Sequence, residues 1–308
     1  MKQTRGFITI ATGKEEYYIL AKNLLHSYRY FCDNPLPFAI LCDRENQFTA
    51  DFDDVLIFKD GANSSYLDKL ALGAYLPYDE TIFIDADSLI LADPGDLWND
   101  FSDADDVSCY GCTYPLDSDK AWFTYEGTGK YKSSIEYLID LHGGIYYFRK
   151  SNRCTTIFKT AIELAEQYHQ YSFRHFEQPA DEPVLAMALA IHHSTPCNRP
   201  MQLLFVPSYW GKLHVTISGQ VTLNKTILNK TILHFGTENT KRFLYRYLVS
   251  VLLCTDAYIT GFSFFHYALL RIKTAPVESK AVLSHTIGKI LRKLLPASAV
   301  NQLKKRLK

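Results

Sequence analysis

Residues 82–91 read IFIDADSLIL, an apolar run broken by Asp85 and Asp87 one residue apart. A carboxylate taken out of water costs on the order of several kcal/mol unless its charge finds a partner. Two of them at the end of a buried strand call for a cation. The Asp-x-Asp spacing alone carries little weight, because it recurs at Asp51/Asp53, Asp103/Asp105 and Asp117/Asp119. Those copies lie in polar surroundings that read as solvated turns, where Asp bonds its own backbone. Asp85 follows TIFI, a β-branched and aromatic run suited to a strand buried on both faces. LPYDE before it and ADPGD after it supply the turns. The structural alternative is a strand-end turn capped by its own carboxylates.

The elements that must position this pair are legible as an alternation. GFITIATG reads as a first strand, KEEYYILAKNLLHSYRYF as a helix with apolar residues at helical spacing, LPFAILCD as a second strand and DDVLIF as a third. SSYLDKLALGAYL then predicts a helix capped by Ser64 or Ser65. Alternating strands and helices predict an α/β fold, a mixed, mostly parallel, Rossmann-like sheet with flanking helices. Ligands of such sheets bind beyond the carboxyl ends of the strands. Thr12, Asp43 and Asp85 all fall at strand ends, so one cleft would hold all three. Beyond Asp93 the pattern is mixed. DVSCYGC, GGIYYFRKS and MQLLFVPSYW read as strands, and two helices are expected with caps at Ser151 or Asn152 and at Asp181. A tandem NKTIL-NKTIL at 224–233 is too short for a repeat architecture.

With 308 residues, 47% of them hydrophobic, the chain can bury a sizeable core. Its formal net charge is zero, but unevenly spread: residues 241–308 hold 13 Lys and Arg against Asp256 and Glu278. The acidic remainder and the basic tail are therefore expected to meet different partners, and no nucleic acid is expected among them. Seven scattered Cys suit reduced thiols better than a disulfide framework. Cys109 and Cys112 form a C-x-x-C without a second pair to complete a zinc site. His192 and His193 follow a helix end and read as structural. The opening MKQTRGFITIATGKEE has too short an apolar stretch for a signal peptide, which predicts a cytoplasmic location. Neither G-x-G-x-x-G nor a P-loop is present, disfavouring dinucleotide and ATP enzymes. ATGKEE also lacks the Gly-rich, Arg-containing loop that a nucleotidyltransferase would want.

Four stretches, taken in order, carry a family resemblance: YLDKLALGAYLPYDETIFIDADSLIL, HGGIYYFRKS, ADEPVLAMAL and ILHFGTENTKR. They resemble the retaining nucleotide-sugar glycosyltransferases of the GT-A fold, family 8, which includes glycogenin and the lipopolysaccharide galactosyltransferases. The resemblance covers roughly residues 5–242. It implies a metal-dependent hexosyltransferase, with Asp85, Asp87 and His234 holding Mn²⁺ or Mg²⁺ across the diphosphate of a UDP-hexose. Lys69 and Lys241 would face the phosphates, and Thr12 and Tyr18 the nucleotide, with the Tyr18 ring offered to the base; Asp43, at a strand end of the same cleft, is expected to bind the donor as well. Gly143 and Gly144 would lie along the donor, and Asp181 and Glu182 would serve the chemistry or orient sugar hydroxyls. His142 and Gly143 stand where the family has Asn and Ser, and Glu182 where an amide is usual. Gly236 and Lys241 each fall one place out of step. Plainer readings stand beside these: a solvated helix residue for Lys69, a core residue for His234, and a bulge or close strand contact for Gly143-Gly144. No carboxylate is an obvious nucleophile, which favours a front-face reaction with retained configuration.

The division expected is a catalytic domain over 1–242 and a helical, basic region over 243–308. Ile287, Ile290, Leu291, Leu294 and Leu295 alternate with Lys289, Arg292 and Lys293, a basic amphipathic pattern suited to anionic lipid headgroups. That would put the protein at the inner face of a membrane, with a glycan or lipid-linked acceptor and a role in cell-surface polysaccharide synthesis. The other function class is a degenerate nucleotide-sugar or glycan-binding protein without turnover.

Overall fold

The computed structural model describes residues 4–58, 66–209, 213–215 and 219–253. They form two compact units, one through Gly236 and one from Thr237 onward. In the first unit, β1 (Arg5–Ala11), α1 (Glu15–Phe31), β2 (Phe38–Cys42) and β3 (Asp54–Ile57) follow one another as read from the sequence. A 3₁₀ segment over Tyr66–Ala74 leads to β4 (Glu80–Ile84), and a tight turn leads from β4 to β5 (Ser88–Ile90). Then come α2 (Asp96–Asp100), β6 (Val107–Tyr114), β7 (Leu138–Arg149), α3 (Asn152–Glu166), α4 (Asp181–Ile191) and β8 (Leu203–Phe205). The unit closes with β9 (Leu213–Val215), β10 (Val221–Leu223), β11 (Thr226–Leu228) and β12 (Ile232–His234).

The main sheet has the order β3-β2-β1-β4-β7-β6. Its first four strands are parallel; β7 runs against them, and the edge strand β6, antiparallel to β7, runs in their direction again. Strands buried on both faces need apolar residues at nearly every position, and β2 and β4 are buried throughout. Alternation in β1 assigns the two faces. Phe7 meets Tyr28 of α1 at 5.2 Å and Phe38 of β2 at 5.8 Å between ring centroids. Ile8 and Ile10, pointing the other way, join the core that includes Phe83, Phe158 of α3 and Met187 of α4. This is the α/β sheet with flanking helices expected.

Two smaller sheets complete the unit. In one, β12 lies between β5 and β8, antiparallel to the first and parallel to the second. In the other, β10 pairs with β9 and β11. The tandem NKTIL is split between them. Asn224 and Lys225 adopt positive φ of 49° and 69°, the conformation that a two-residue hairpin turn requires. The residues after them form β11, whereas the second copy runs into β12.

Two local expectations are corrected. The segment after residue 65 is 3₁₀ rather than α. Tertiary anchors override its propensity: Asp68 accepts the Thr12 hydroxyl, Lys69 reaches Asp85, and a Cβ on Gly73 would come within 2.3 Å of Phe158. Ser64 and Ser65 lie outside the described residues. Asp181 is the first helical residue of α4, with Ala180 in the capping position, because the Asp181 carboxylate is engaged by side chains described below.

The second unit shows a 3₁₀ segment over Thr237–Lys241 and α5 (Phe243–Leu253). No helix among the described residues is long and apolar enough to cross a membrane. The basic amphipathic stretch after residue 280 lies outside them.

Ser151 caps α3 as expected, accepting from the Cys154 N–H at 3.0 Å and donating to Asp106 at 2.7 Å. Ser151→Ala should cost about 1 kcal/mol, read as a lower midpoint in urea unfolding. An unchanged midpoint would show the cap to be energetically idle.

Candidate functional site

The Asp85-Ala86-Asp87-Ser88 stretch is a turn in which the Ser88 N–H donates to the Asp85 carbonyl at 3.1 Å. It carries the chain from the main sheet into the small one. The register of the small sheet sets His234 opposite Ser88, and the Phe235 N–H donates to the Asp87 carbonyl at 3.1 Å. His234 Nε2 is thereby held 3.0 Å from Asp87 Oδ1 and 3.7 Å from Asp85 Oδ2. One ligand atom from each of the three lies within 4.8 Å of the others.

This arrangement is electrostatically tense. Burial, together with repulsion from Asp87, raises the pKa of Asp85 against the pull of Lys69 and His234. Burial alone would lower His234, but the two aspartates outweigh it and raise its pKa. A divalent cation between the two carboxylates and the imidazole would relieve the repulsion, and the three side chains offer it one ligand atom each. His234 Nδ1 is buried and has no hydrogen-bond partner, so the imidazole has only Nε2 engaged, on the side of the carboxylates.

Lys69 is the nearest fixed cation. Its ammonium lies 2.8 Å from Asp85 Oδ2 and 3.3 Å from Asp181 Oδ2, and donates to the Gly143 carbonyl at 3.4 Å. Burial opposes its charge, yet Asp181 and Asp85 more than compensate and raise its pKa. Lys69 is therefore no solvated helix residue. Its ammonium is paired with the carboxylates of Asp85 and Asp181. Asp181 is 3% exposed and accepts the Tyr146 hydroxyl at 2.6 Å, with Tyr146 stacked on Phe83. This locks the start of α4 to β4 and β7.

Gly143 and Gly144 permit the convergence. The Gly144 carbonyl accepts the Asp85 N–H at 3.0 Å, and the Gly143 N–H donates to Glu182 Oε1 at 2.7 Å. A Cβ on Gly143 would meet Glu182 Cγ at 2.7 Å, and one on Gly144 would meet His234 Nδ1 at 2.9 Å. The space beside both glycines is filled by side chains of the site. Burial, with Asp181 adjacent, raises the pKa of Glu182 to about 7.

At the ends of β1 and β2, Thr12 is buried and gives its hydroxyl to Asp68 at 2.5 Å. Asp43 accepts the Gly13 N–H at 3.1 Å and pairs with Arg44 at 2.8 Å. Burial would raise Asp43, but the Tyr18 hydroxyl, the Gly13 N–H and Arg44 lower its pKa. Tyr18 does not offer a ring to a base as expected: it is fully buried, its face is covered by the Arg44 guanidinium at 5.3 Å, and its hydroxyl bonds Asp43. Its work is to fix Asp43. Lys241 belongs to the second unit, in the 3₁₀ segment that precedes α5.

Sequence reasoning missed Asp68, Tyr146 and His142. Asp68 and Tyr146 carried no motif. His142 was noted only as a departure from the family pattern. Its Nδ1 accepts the Gly144 N–H at 3.0 Å, and its ring stands edge-on to His234 with centroids 5.3 Å apart. Burial, with His234 and Lys69 near, lowers its pKa to about 3, so it is a neutral imidazole with its proton on Nε2.

No protein-family model matches the chain, and no curated protein matches it. Among solved structures it is similar to an active-site mutant of LgtC with glutamate in place of glutamine, at TM-score 0.50 and 14% identity, covering 83% of this chain and 98% of that one. LgtC, a galactosyltransferase solved in complex with donor and acceptor sugar analogues, gives TM-score 0.49 and 15% identity over 83% of this chain and 98% of that one. The bifunctional glycosyltransferase WbbM, in its apo form, gives 0.48 and 12% over 82% of this chain and 50% of that one. At such identities the likeness concerns the fold, which is the GT-A fold of glycosyltransferases.

Two outcomes follow from the geometry. Gly144→Ala should displace His234 and weaken Mn²⁺ binding by roughly 10- to 100-fold, the range for disturbed ligand supports. Unaltered affinity in a calorimetric titration would show that His234 is not a ligand. Because Glu182 binds its proton more tightly when folded, the stability it costs is absent below its unfolded pKa of 4.5 and grows as pH rises to about 7. Glu182→Gln should raise Tm at pH above that value and leave it unchanged at acidic pH; a gain of equal size at both would refute the shift.

Proposed function

We propose that this protein is a metal-dependent glycosyltransferase that moves a hexose from a UDP-linked donor to a glycan or lipid-linked acceptor. One observation carries the reading: Asp85, Asp87 and His234 converge beyond the carboxyl end of β4, in a sheet of the GT-A fold. A divalent cation held there supplies Lewis-acid neutralisation of the departing diphosphate. The chain's own residues do the rest. Asp43, fixed by Tyr18, Gly13 and Arg44, offers an acceptor for nucleoside hydroxyls. Asp181, whose carboxylate is engaged by Tyr146 and Lys69, would hold sugar hydroxyls rather than attack the anomeric carbon. This supports a front-face transfer with retained configuration. Lys241 and the basic tail complete the proposal, the first for the phosphates and the second for an anionic membrane surface bearing the acceptor.

The test is calorimetric titration of UDP and UDP-hexoses with Mn²⁺, with EDTA, and with the Asp85→Ala/Asp87→Ala variant. Binding should require both the metal and the aspartates, and the tightest UDP-hexose names the donor. Absence of nucleotide binding under every condition would sink the donor site. Tight donor binding without hydrolysis or transfer to any acceptor would instead leave a binding protein.

A further inference from the structure

Arg44 takes the Tyr18 ring out of reach, and the way it is held defines what it can offer instead. It stands just past the end of β2, and its guanidinium ties the ends of two parallel strands together. One N–H group donates to Asp43 Oδ2 at 2.8 Å and another to the Gly13 carbonyl, just past β1, at 2.7 Å. Cζ lies 5.3 Å from the centroid of the Tyr18 ring, within cation–π range. The Tyr18 hydroxyl and the Gly13 N–H bond Asp43 in turn, so ring, carboxylate and guanidinium brace one another. The Arg44 side chain nonetheless keeps 52% of its surface exposed. A planar group with one face on a ring and its edge tied to two oxygens leaves its opposite face to solvent. Pinning a long side chain costs rotamer entropy, and here three contacts meet that cost before any ligand arrives, which makes the open face a preorganised surface. That face stands beyond the carboxyl ends of the parallel strands, where ligands of such sheets bind, at the end of the sheet that also carries Asp85, Asp87 and His234.

We propose that the nucleobase of the donor stacks on the outer face of the Arg44 guanidinium, in the layered order Tyr18, Arg44, base. This stack rests on the donor-site reading above and puts a cationic plane where a tyrosine ring was expected. Guanidinium planes take nucleobases on their faces as aromatic rings do. The N–H groups along its edge are committed to Asp43 and Gly13, and its charge is paired with Asp43. Arg44 therefore contributes flatness, and neither a hydrogen-bond pattern nor a free charge for the diphosphate.

Calorimetry on the full chain with saturating Mn²⁺ tests it by comparing UDP with dihydrouridine diphosphate. The analogue keeps the ribose, the diphosphate and the hydrogen-bonding edge of the base but loses the flat aromatic ring. The wild type should bind UDP about tenfold more tightly than the analogue, the scale of one base stack. Two variants keep the Tyr18 ring covered by a long side chain and lack the plane: Arg44→Lys, which retains the charge, and Arg44→Met, which does not. Both should weaken UDP about tenfold, leave the analogue nearly unchanged and so bring the ratio close to one. A variant that merely disturbs Asp43 weakens both ligands alike, so the ratio isolates the stack. A ratio that survives in both variants overturns the proposal. So does an Arg44→Lys variant that behaves as the wild type while Arg44→Met weakens both ligands, since Arg44 would then act through its charge. Tighter UDP binding by either variant would make Arg44 an obstruction and overturns it too. If the wild type binds both ligands equally, the stack fails while the nucleotide site stands. If it binds neither, the donor reading fails and the stack with it.

Discussion

The organising constraint is an excess of buried acid. Asp85, Asp87, Asp181 and Glu182 converge where β4 ends, β7 passes and α4 begins, and Lys69 is the buried lysine shared among them. Four carboxylates cannot all be ionised in such a place without compensation. Each neighbouring feature supplies part of it. Tyr146 donates to one, a backbone N–H at Gly143 to another, and His234 approaches the remaining pair. Side chains on β7 would keep these groups apart, so the strand carries two glycines at the point of closest approach. The neutral state of His142, which avoids a further cation against His234 and Lys69, belongs to the same balance.

The site is also a seam. Asp85 ends a strand of the main sheet, and three residues later the chain has joined another sheet, whose register delivers His234. The lysine arrives from a 3₁₀ segment whose preceding residue is tied to the end of β1. Several elements far apart in sequence thus share one small set of charges, and disturbing any of them moves the rest.

How much of this the sequence revealed follows from how local each signal is. The buried runs of β1, β2 and β4 and the amphipathic α1 are written in contiguous residues, and so is the acidic pair beyond β4. Lys69 and His234 needed the family resemblance, because neither has neighbours that reveal a partner 16 or more residues away. Tyr18 was misread for the same reason. An aromatic residue early in a helix looks available, and only the folded chain shows the Arg44 guanidinium over its ring and Asp43 at its hydroxyl. The geometry of the 66–74 segment and the engagement of Asp181 likewise depend on side chains that come from elsewhere in the chain.

The duplicated NKTIL shows how little a short word determines by itself. In its first occurrence Asn-Lys makes a left-handed hairpin turn, and the three residues after it form the outer strand β11, where Ile227 is 58% exposed. In its second, Ile232 and Leu233 are wholly buried in β12 and lead directly into His234. A chain with a single copy would have to choose, since the same residues cannot close the hairpin and also line up beside β5. Duplication lets the two tasks draw on separate copies. The outer hairpin and the strand that carries the imidazole thus share no residue.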